Sequence, residues 1–326
     1  MPVTLRPFTE ADRPRHVEIV NQIYPDAPRS VEAGRHEDSL WDGEKHFRLR
    51  LVAEAQGRMV GFGRLSHMPG QFHPDKYRIH LEVEPASQLH GIGTALFESL
   101  LAEAQGRNAL LVRAEAKESM TPSIAFLAHR KFEEIQRNWE SRLDVAGFDL
   151  DSFEKAEERA LGQGITLTTI ADEGVDNPDV LRQVYELDVA CSQDEPSVDP
   201  ITSSPFDLWV KDSFGAPWSY PEGFFLAKDG DRYVGLSALF QNVSLPQVLQ
   251  QGFTAVDRDY RAKGIAMALK IRGVKLALDR GYHEIRTWNN TRNRPMLRIN
   301  EAMGFAKQPV WIEFAKQLRR AGSATT

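Results

Sequence analysis

One turn sequence occurs twice in this chain at a constant separation, and this repeat constrains the fold more than any other feature. The first copy runs from Val83 to Gly93 and the second from Val256 to Ala266, 173 positions later. Each copy reads as a strand end, a polar turn containing glycine, and a helix start. The aromatic residue after the next predicted helix, Phe132 or Phe305, keeps the same separation. Two copies in register indicate a duplicated domain.

The length of the chain agrees with duplication. A chain of 326 residues corresponds to about two domains of roughly 150 residues, each large enough to bury its own core. A charged helix near Asp151 to Leu161 separates the two patterns. We therefore predict an N-terminal domain over residues 1–146, a linker helix over 147–164 and a C-terminal domain over 165–326.

The segments around each turn repeat as well. Hairpins are predicted around Gln56-Gly57 and around Asp229 to Asp231, and a third strand leads into each turn. A helix, a strand and a second helix follow. Trp139 to Val145 is predicted to be the last strand of the first half. This order of strands and helices places both halves in the α/β class.

Composition excludes several classes of protein. With 40 basic and 46 acidic residues the formal charge is −6, which gives no general attraction to nucleic acid or to an anionic membrane. Cys191 is the only cysteine, so neither an intrachain disulfide nor a cysteine-based metal site is expected. No run of residues approaches the roughly 20 apolar residues of a membrane span. We expect a cytoplasmic protein.

The turn has the chemistry of an anion site. A glycine between a strand and a helix start exposes unpaired main-chain N–H groups at the positive end of the helix dipole, and phosphate suits such a site best. The residues after the first glycine, Ile92-Gly93-Thr94 and Ile265-Ala266-Met267, do not supply the Gly-Lys-Ser/Thr of a nucleotide P-loop. The spacing to the strand does not fit a dinucleotide fingerprint either. A purely structural tight turn stays open as an alternative.

Both turns resemble a known family signature. Gln88 to Gly93 and Arg261 to Ala266 are similar to the Gln/Arg-x-x-Gly-x-Gly/Ala pattern of the GNAT superfamily of N-acetyltransferases, and Asn293 to Phe305 is similar to the family's helix-Gly-Phe ending. The resemblance covers both halves. It implies two tandem GNAT-like domains, each a mixed, mainly antiparallel central sheet flanked by helices.

The resemblance also implies acetyl-CoA as co-substrate, no metal, and direct attack by an acceptor amine. The amides of the two turns would hold its pyrophosphate, and an amide near Val83 or Val256 would polarise the thioester carbonyl. The implied cofactor-binding residues of the turns are Gln88, Leu89, His90, Gly91, Ile92 and Gly93, and Arg261, Ala262, Lys263, Gly264, Ile265 and Ala266.

The sequence departs from the family pattern at the acid and the base. Leu127 and Asn300 stand where the family has a tyrosine that acts as general acid. Tyr77 and Gln250 stand where several members have a carboxylate. Asn300 could still donate a hydrogen bond to the leaving group or the ligand. The remaining candidates for the base are His80 and Glu82 in the first half, and Asp194 and Glu195 in the second. We take Asn300 and Glu195 as the candidate catalytic residues.

The two halves are not equivalent. The second has Asn289, Asn290 and Asn293 after its fifth strand, where the first has Ala116, Lys117 and Met120. Asn293 is a further candidate to hold the cofactor, and this difference favours the second half as the catalytic one. The leading hypothesis is acetyl transfer to the primary amine of a small molecule by a monomer or homodimer. The alternatives are a non-catalytic acyl-CoA-binding or regulatory protein, and a protein or peptide N-acetyltransferase.

Overall fold

Each copy of the turn joins a central strand of a sheet to a helix packed on that sheet. The computed structural model describes residues 3–319, and tertiary contacts divide the chain into two compact units. Unit 1 comprises the chain up to Gln136 together with a segment that begins at Trp311, and unit 2 runs from Arg137 to Val310. The sequence-based boundary over residues 147–164 separates the two repeats, and the contacts divide the chain at different positions.

The first half of the chain follows the predicted order of elements. Its strands and helices are β1 (Thr4–Pro7), α1 (Arg13–Ile23), α2 (Val31–Ser39), β2 (Arg48–Ala55), β3 (Arg58–Ser66), β4 (Lys76–Val83), α3 (Ile92–Gly106), β5 (Leu111–Lys117), α4 (Thr121–His129) and β6 (Glu133–Asp144).

The second half repeats this order after a connecting helix. Its elements are α5 (Glu154–Leu161), β7 (Ile165–Thr169), α6 (Ile170–Glu173), α7 (Pro178–Ser192), α8 (Phe206–Phe214), β8 (Phe224–Asp229), β9 (Arg232–Gln241), β10 (Val248–Val256), α9 (Ile265–Asp279), β11 (Glu284–Asn290), α10 (Arg294–Ala302), β12 (Ala306–Lys307) and β13 (Trp311–Gln317). Helix α8 begins at Phe206, and Pro205 is its N-cap.

The two sheets have the same topology. The strand order is β1-β2-β3-β4-β5-β13 in unit 1 and β7-β8-β9-β10-β11-β6 in unit 2. Neighbouring strands are antiparallel except β4 with β5 and β10 with β11. These parallel pairs are short, covering Lys76 to Arg78 in unit 1 and Val248 to Gln251 in unit 2. Each unit is thus a mixed, mainly antiparallel sheet flanked by helices, which confirms the predicted fold class.

The last strands of the two repeats are exchanged. Strand β6 follows the first repeat but pairs with β11 in unit 2, from Asn138 to Asp144. Strand β13 ends the second repeat but pairs with β5 in unit 1 along its full length. The expectation that Trp139 to Val145 completes the first half is therefore wrong about the sheet, although the strand itself forms. Alternating side chains predict a strand but do not specify which open sheet edge it joins.

Glycine at one repeated position lets the turn helix lie close to the sheet. A Cβ at Gly61 would come within 3.2 Å of Ile92, and one at Gly235 within 3.0 Å of Ile265. These glycines belong to the repeated Val-Gly pairs of β3 and β9. Ile265 and Leu269 of α9 are buried against the sheet. Burial of each side chain contributes about 1.5–3 kcal/mol.

Helices cover both faces of the unit 2 sheet. Leu269, Val274 and Ile285 belong to the apolar cluster beneath α9, while Val184, Leu226 and Leu236 form a second cluster beneath α7. Within residues 3–319 no helix is both long and apolar enough to cross a bilayer.

Candidate functional site

The second turn is built around two residues with positive φ. Ala262 has φ 62° and Gly264 has φ 86°, and α9 begins at the next residue. Glycine adopts this backbone conformation without steric cost. Arg261 fixes the base of the turn, because its Nε donates to the Val256 carbonyl oxygen at 3.0 Å. The turn presents free main-chain N–H groups at the positive end of the α9 dipole, which is an arrangement suited to phosphate.

The first turn has the same conformation. Leu89 has φ 62° and Gly91 has φ 83°, and the Gln88 Nε2 donates to the Val83 carbonyl oxygen at 3.0 Å. Gln88 and Arg261 thus make the same contact from equivalent positions. In both units the structure brings the sequence-predicted turn residues together at the start of one helix: Gln88, Leu89, His90, Gly91, Ile92 and Gly93 in unit 1, and Arg261, Ala262, Lys263, Gly264, Ile265 and Ala266 in unit 2.

A cavity of about 860 Å³ opens beside the second turn. The parallel pairing of β10 with β11 ends at Gln251 and Thr287, although both strands continue, and the register of β10 against β9 shifts between Gln251 and Thr254. The cavity lies where these strands part. Its walls come from the end of α7 and the following loop, β10, the turn, α9, β11 and α10. We call it the unit 2 cavity.

Two carboxylates, on α7 and on the loop after it, line the unit 2 cavity. Asp188 is half-buried on α7, and burial raises its pKa to about 6, although a hydrogen bond from Trp209 opposes the shift. Glu195 lies on the following loop and is accessible to solvent. Desolvation by the surrounding protein and the charge of Asp188 raise its pKa as well. The predicted residue Glu195 therefore shares its cavity with a second carboxylate that the sequence did not single out.

Asp194 connects the carboxylate loop to the turn. Its Oδ2 accepts from Arg261 at 2.5 Å, and its Oδ1 accepts from Arg258. These two arginines hold the pKa of Asp194 well below its usual value. Asp194 is therefore a tether and not a base, which separates its role from that of Glu195.

Asparagines at the end of β11 and around α10 also contribute to the cavity. Asn289 lines the cavity, and Asn300 lies behind it, because the Asn300 Nδ2 donates to Asn289 Oδ1 at 2.6 Å. Asn293 also lines the cavity, and its Oδ1 caps α10 through the amide of Met296 at 3.3 Å. Asn290 Nδ2 donates to the Pro196 carbonyl oxygen at 3.0 Å. Of the predicted residues, Asn293 reaches the cavity directly and Asn300 acts on Asn289.

The family model that matches this chain is the acetyltransferase (GNAT) family, and it matches twice, over residues 16–132 and 181–305. Each match contains one turn and the helix that follows it. The chain belongs to the GNAT acetyltransferase family. It is an acetyl-CoA-dependent N-acetyltransferase with two GNAT domains, as the paired signatures indicate.

Several curated relatives of this GNAT protein are mycothiol acetyltransferases. The chain is 27% identical over 281 residues to the mycothiol acetyltransferase of Thermobifida fusca, covering 81% of this chain and 80% of the relative. It is 24% identical over 327 residues to the mycothiol acetyltransferase of Clavibacter sepedonicus, covering 95% and 98%.

Solved structures share its fold across nearly the whole chain. A tandem GNAT protein from the clavulanic acid biosynthesis pathway has a TM-score of 0.73 at 18% identity, covering 98% of this chain and all of that one. A GCN5-related N-acetyltransferase from Sphaerobacter thermophilus has a TM-score of 0.71 at 20% identity, covering 98% and 96%. At this identity the likeness concerns the fold alone.

Helix α5 adds a cation to the GNAT turn of unit 2 that sequence reasoning missed. Arg159 lines the cavity, and its Cδ lies 3.4 Å from the position of a Cβ on Gly264. Gln163, two residues after α5, donates from Nε2 to the Lys263 carbonyl oxygen at 2.9 Å. Glu157 fastens α5 to α9 through Arg272 and Lys275, at 2.9 and 3.1 Å. No pattern in the sequence links α5 to a turn about 100 residues away.

Lys270 is a further residue that sequence reasoning missed. It lies on α9, is 2% exposed, and lines the unit 2 cavity. Its counterpart 173 positions earlier is Phe97, so comparison of the two repeats contained a signal. A lysine in an apolar helix position is otherwise read as a solvated residue.

The corresponding gap in unit 1 is filled differently. Phe126 stands at the position of Ile299, which lines the unit 2 cavity, and its ring lies 3.8 Å from the position of a Cβ on Gly93. The Arg130 guanidinium stacks on this ring at 3.5 Å and donates to Thr94 Oγ1 at 2.9 Å. An aromatic ring and an arginine thus cover the start of α3, where unit 2 has open space.

The unit 1 candidates for a base form a closed cluster. Glu82 is 5% exposed and accepts from His16 at 2.6 Å and from His80 at 2.8 Å. Burial alone would raise the pKa of Glu82, but the two histidines hold that pKa below its usual value. Among the described residues no group of three or more His, Cys, Asp or Glu side chains could hold a metal ion.

Proposed function

We propose that unit 2 transfers the acetyl group of acetyl-CoA to the primary amine of a small molecule by direct attack, within the unit 2 cavity. One observation carries this proposal: a single cavity extends from the phosphate-type turn to the two carboxylates Asp188 and Glu195. A site for a polyanionic acyl carrier and a site for a cationic amine therefore share one space.

The turn suits the phosphates of acetyl-CoA. The amides of residues 262–266 and the cations Arg261 and Arg159 would hold them, and the left-handed Gly264 leaves room for close approach. Val256 ends β10 beside the cavity. Arg261 occupies its carbonyl oxygen, so its N–H is the group proposed to face the acyl arm. When bound, acetyl-CoA supplies an activated acetyl thioester.

The carboxylates suit the acceptor. An amine reaches the cavity as an ammonium, which two carboxylates attract, and it must lose a proton before it can attack. Glu195 is the proposed base because it is accessible to solvent and its pKa is raised toward the working pH. Asp188, on the same wall, would hold the ammonium in place. Asn300 would orient Asn289 from behind.

Small acceptors fit the proposal best. The relatives are named mycothiol acetyltransferases, so the acceptor of those enzymes is the first compound to test, followed by a panel of small primary amines. A protein or peptide acceptor is the competing outcome of the same panel.

A matched pair of substitutions tests which unit acts. Ala266→Glu and Gly93→Glu each place a carboxylate at the second residue of the turn helix. Its charge repels phosphate there but stabilises the helix through its dipole. We expect Ala266→Glu to abolish thiol release from acetyl-CoA and Gly93→Glu to retain it. Thermal unfolding of both variants establishes that they fold. If only Gly93→Glu loses activity, the acetyl transfer would be assigned to unit 1.

A further inference from the structure

Lys270 places a cation inside the unit 2 cavity. The residue is on the second turn of α9, within the face that packs on the sheet, and only 2% of its surface is exposed. It nevertheless lines the cavity, together with Gln251 of β10 and Thr287 of β11, the last paired residues before those strands part. The ammonium therefore lies at the inner end of the gap between the strands.

This cation has no counter-ion among the residues that the structure describes. Its Nζ donates to Gln251 Oε1 at 3.4 Å and lies 5.0 Å from the centre of the Phe305 ring. Within residues 3–319 no carboxylate comes within ion-pair distance of it. Burying a charge without a partner is costly. The cavity is therefore the place from which a partner must come.

The same position in unit 1 shows what packing alone requires. Phe97 makes edge contacts with Phe126 and Phe132, at 5.8 and 6.0 Å between ring centres. An apolar side chain thus fills this site in a unit that otherwise repeats the fold. Lysine appears only in the unit with the open cavity, which indicates a role in the cavity instead of a role in the core.

A polar network fixes the direction of the lysine. Gln251 Nε2 donates to the Ala238 carbonyl oxygen at 2.8 Å and to Ser237 Oγ at 3.2 Å, so its Oε1 is held toward Lys270. Ser237 in turn bonds to Thr254 Oγ1 at 2.9 Å. The network lies beside the cavity, along the part of β10 that is no longer paired with β11.

We propose that Lys270 is a catalytic residue that donates its Nζ proton to the sulfur leaving group of the thioester. The inference rests on the proposed function of unit 2. It supplies a proton donor in place of the family's tyrosine, because Asn300 stands at that position and its amide cannot serve as an acid at neutral pH.

The proton balance is complete. The acceptor nitrogen forms a bond to the acetyl carbon, the C–S bond breaks, and its electron pair moves to sulfur. Lys270 gives one proton to that sulfur and becomes a neutral amine, while the proton from the acceptor leaves through Glu195 or water. Solvent then restores the ammonium.

The acidity of Lys270 fits this role. Burial lowers its pKa to about 7, below the value of about 8.5 for an ordinary thiol, so transfer to a thiolate is favourable. Other titratable groups on the cavity wall are Arg159, Asp188, Cys191, Asp194, Glu195, Tyr260 and Arg261. None of them forms an ion pair with Lys270.

The first test measures the pKa of Lys270 in the absence of catalysis. The pKa of Lys270 is measured by NMR of lysine-labelled full-length protein, with Lys270→Met used for assignment, in the presence of CoA or of a CoA analogue that lacks the thiol. We expect the pKa of Lys270 to differ between the two ligands, because only the sulfur of CoA can exchange a hydrogen bond or a proton with its Nζ. Equal titration with both ligands would overturn the proposal.

The second test is kinetic. Lys270→Met should lower kcat about 100-fold and leave KM for acetyl-CoA nearly unchanged. It should also lack the fall in kcat at alkaline pH that we expect of the wild type as Lys270 loses its proton. Lys307→Met, at an exposed ion pair with Glu301, is the control and should retain activity. Lys270→Met with wild-type kcat would overturn the inference.

Folding and the proposed function are separated by two further measurements. Lys270→Phe installs the residue of unit 1 and removes a buried charge, so its melting temperature should not fall below that of the wild type. A lower melting temperature with wild-type kcat would assign Lys270 to the core. If acetyl-CoA fails to bind unit 2 in the wild type, the proposed function fails. If it binds and Lys270→Met turns over normally, only this inference fails.

Discussion

Single residues distinguish the two units more sharply than their backbones do. Gln88 and Arg261 cap the same carbonyl position at the same distance, so the turn pattern correctly predicts the local geometry in both units. The cavity instead depends on side chains that the pattern does not include. Ile299 leaves space where Phe126 fills it, and Asp188 and Lys270 become visible only when the fold brings α7 and α9 to the same gap.

The proposed base gives a prediction at this scale. Glu195→Gln should lower kcat about 100-fold with little effect on the affinity for acetyl-CoA, because the amide cannot accept a proton from the amine. Steady-state kinetics measures the change. Glu186→Gln, on the exposed face of α7, is the matched control. Equal kcat values for the two variants would remove Glu195 from the mechanism.

Asp188 gives a prediction about stability and pH. Its raised pKa of about 6 means that the folded chain binds the proton more tightly than the unfolded chain, so stability falls as pH rises from about 4 to about 6. Asp188→Asn removes this penalty and should raise the free energy of unfolding near pH 7 by about 1 kcal/mol, allowing for partial solvent contact. Near pH 4 the two proteins should be equally stable. Urea denaturation at both pH values measures it, and a variant less stable near pH 7 would contradict the account.

Among the elements, α5 and the loop after α7 connect parts of unit 2 that are remote in sequence. Helix α5 was predicted as a linker, and its charged pattern gives no sign that Arg159 lies at the turn. The Asp194 tether is equally hidden, because Arg258 and Arg261 follow it by more than 60 residues in the chain. Repeats and turn glycines are local signals, whereas these contacts depend on tertiary packing.

Helix α5 should contribute to cofactor affinity. Arg159→Ala removes a cation beside Gly264 and should weaken acetyl-CoA binding about threefold to tenfold at low salt, with a smaller effect at high salt because exposed charges are screened. Calorimetric titration at two ionic strengths measures it. Lys155→Ala, exposed on the same helix, should bind normally. An effect of Arg159→Ala that does not depend on salt would point to packing instead of charge.

The Asp194 tether should separate binding from catalysis. Asp194→Asn frees Arg258 and Arg261 for phosphate, so acetyl-CoA should bind about threefold more tightly, a gain typical of relieving a surface ion pair. The same change loosens the loop that holds Glu195, so kcat should fall. Calorimetric binding and steady-state kinetics together test whether the affinity for acetyl-CoA rises while kcat falls. A variant that binds acetyl-CoA more weakly would show that the tether supports the turn.

At the scale of the whole molecule, the chain is two copies of one sheet with their last strands exchanged. The repeat predicts the two domains, their order of strands and helices, and the two turns. It cannot predict the exchange, since β6 and β13 carry equivalent patterns and either one fits an open edge beside β5 or β11.

The exchange predicts that the end of the chain stabilises its beginning. Glu313 of β13 is 5% exposed and pairs with Arg78 at 2.6 Å and Arg113 at 3.5 Å, both in unit 1. Glu313→Ala removes the buried carboxylate that Arg78 and Arg113 share and should cost about 3 kcal/mol. Hydrogen exchange should lose protection in β4 and β5. Glu301→Ala, at an exposed pair in unit 2, is the control, and loss of protection confined to unit 2 would contradict the strand assignment.

The central claim is that acetyl-CoA is used in unit 2. A crystal structure of the full chain with acetyl-CoA tests it most directly. We predict phosphates on the amides of residues 262–266 beside Arg159 and Arg261, and the thioester in the gap between β10 and β11, near Lys270. Acetyl-CoA bound only at the Gln88 to Gly93 turn, or at neither turn, would contradict the account.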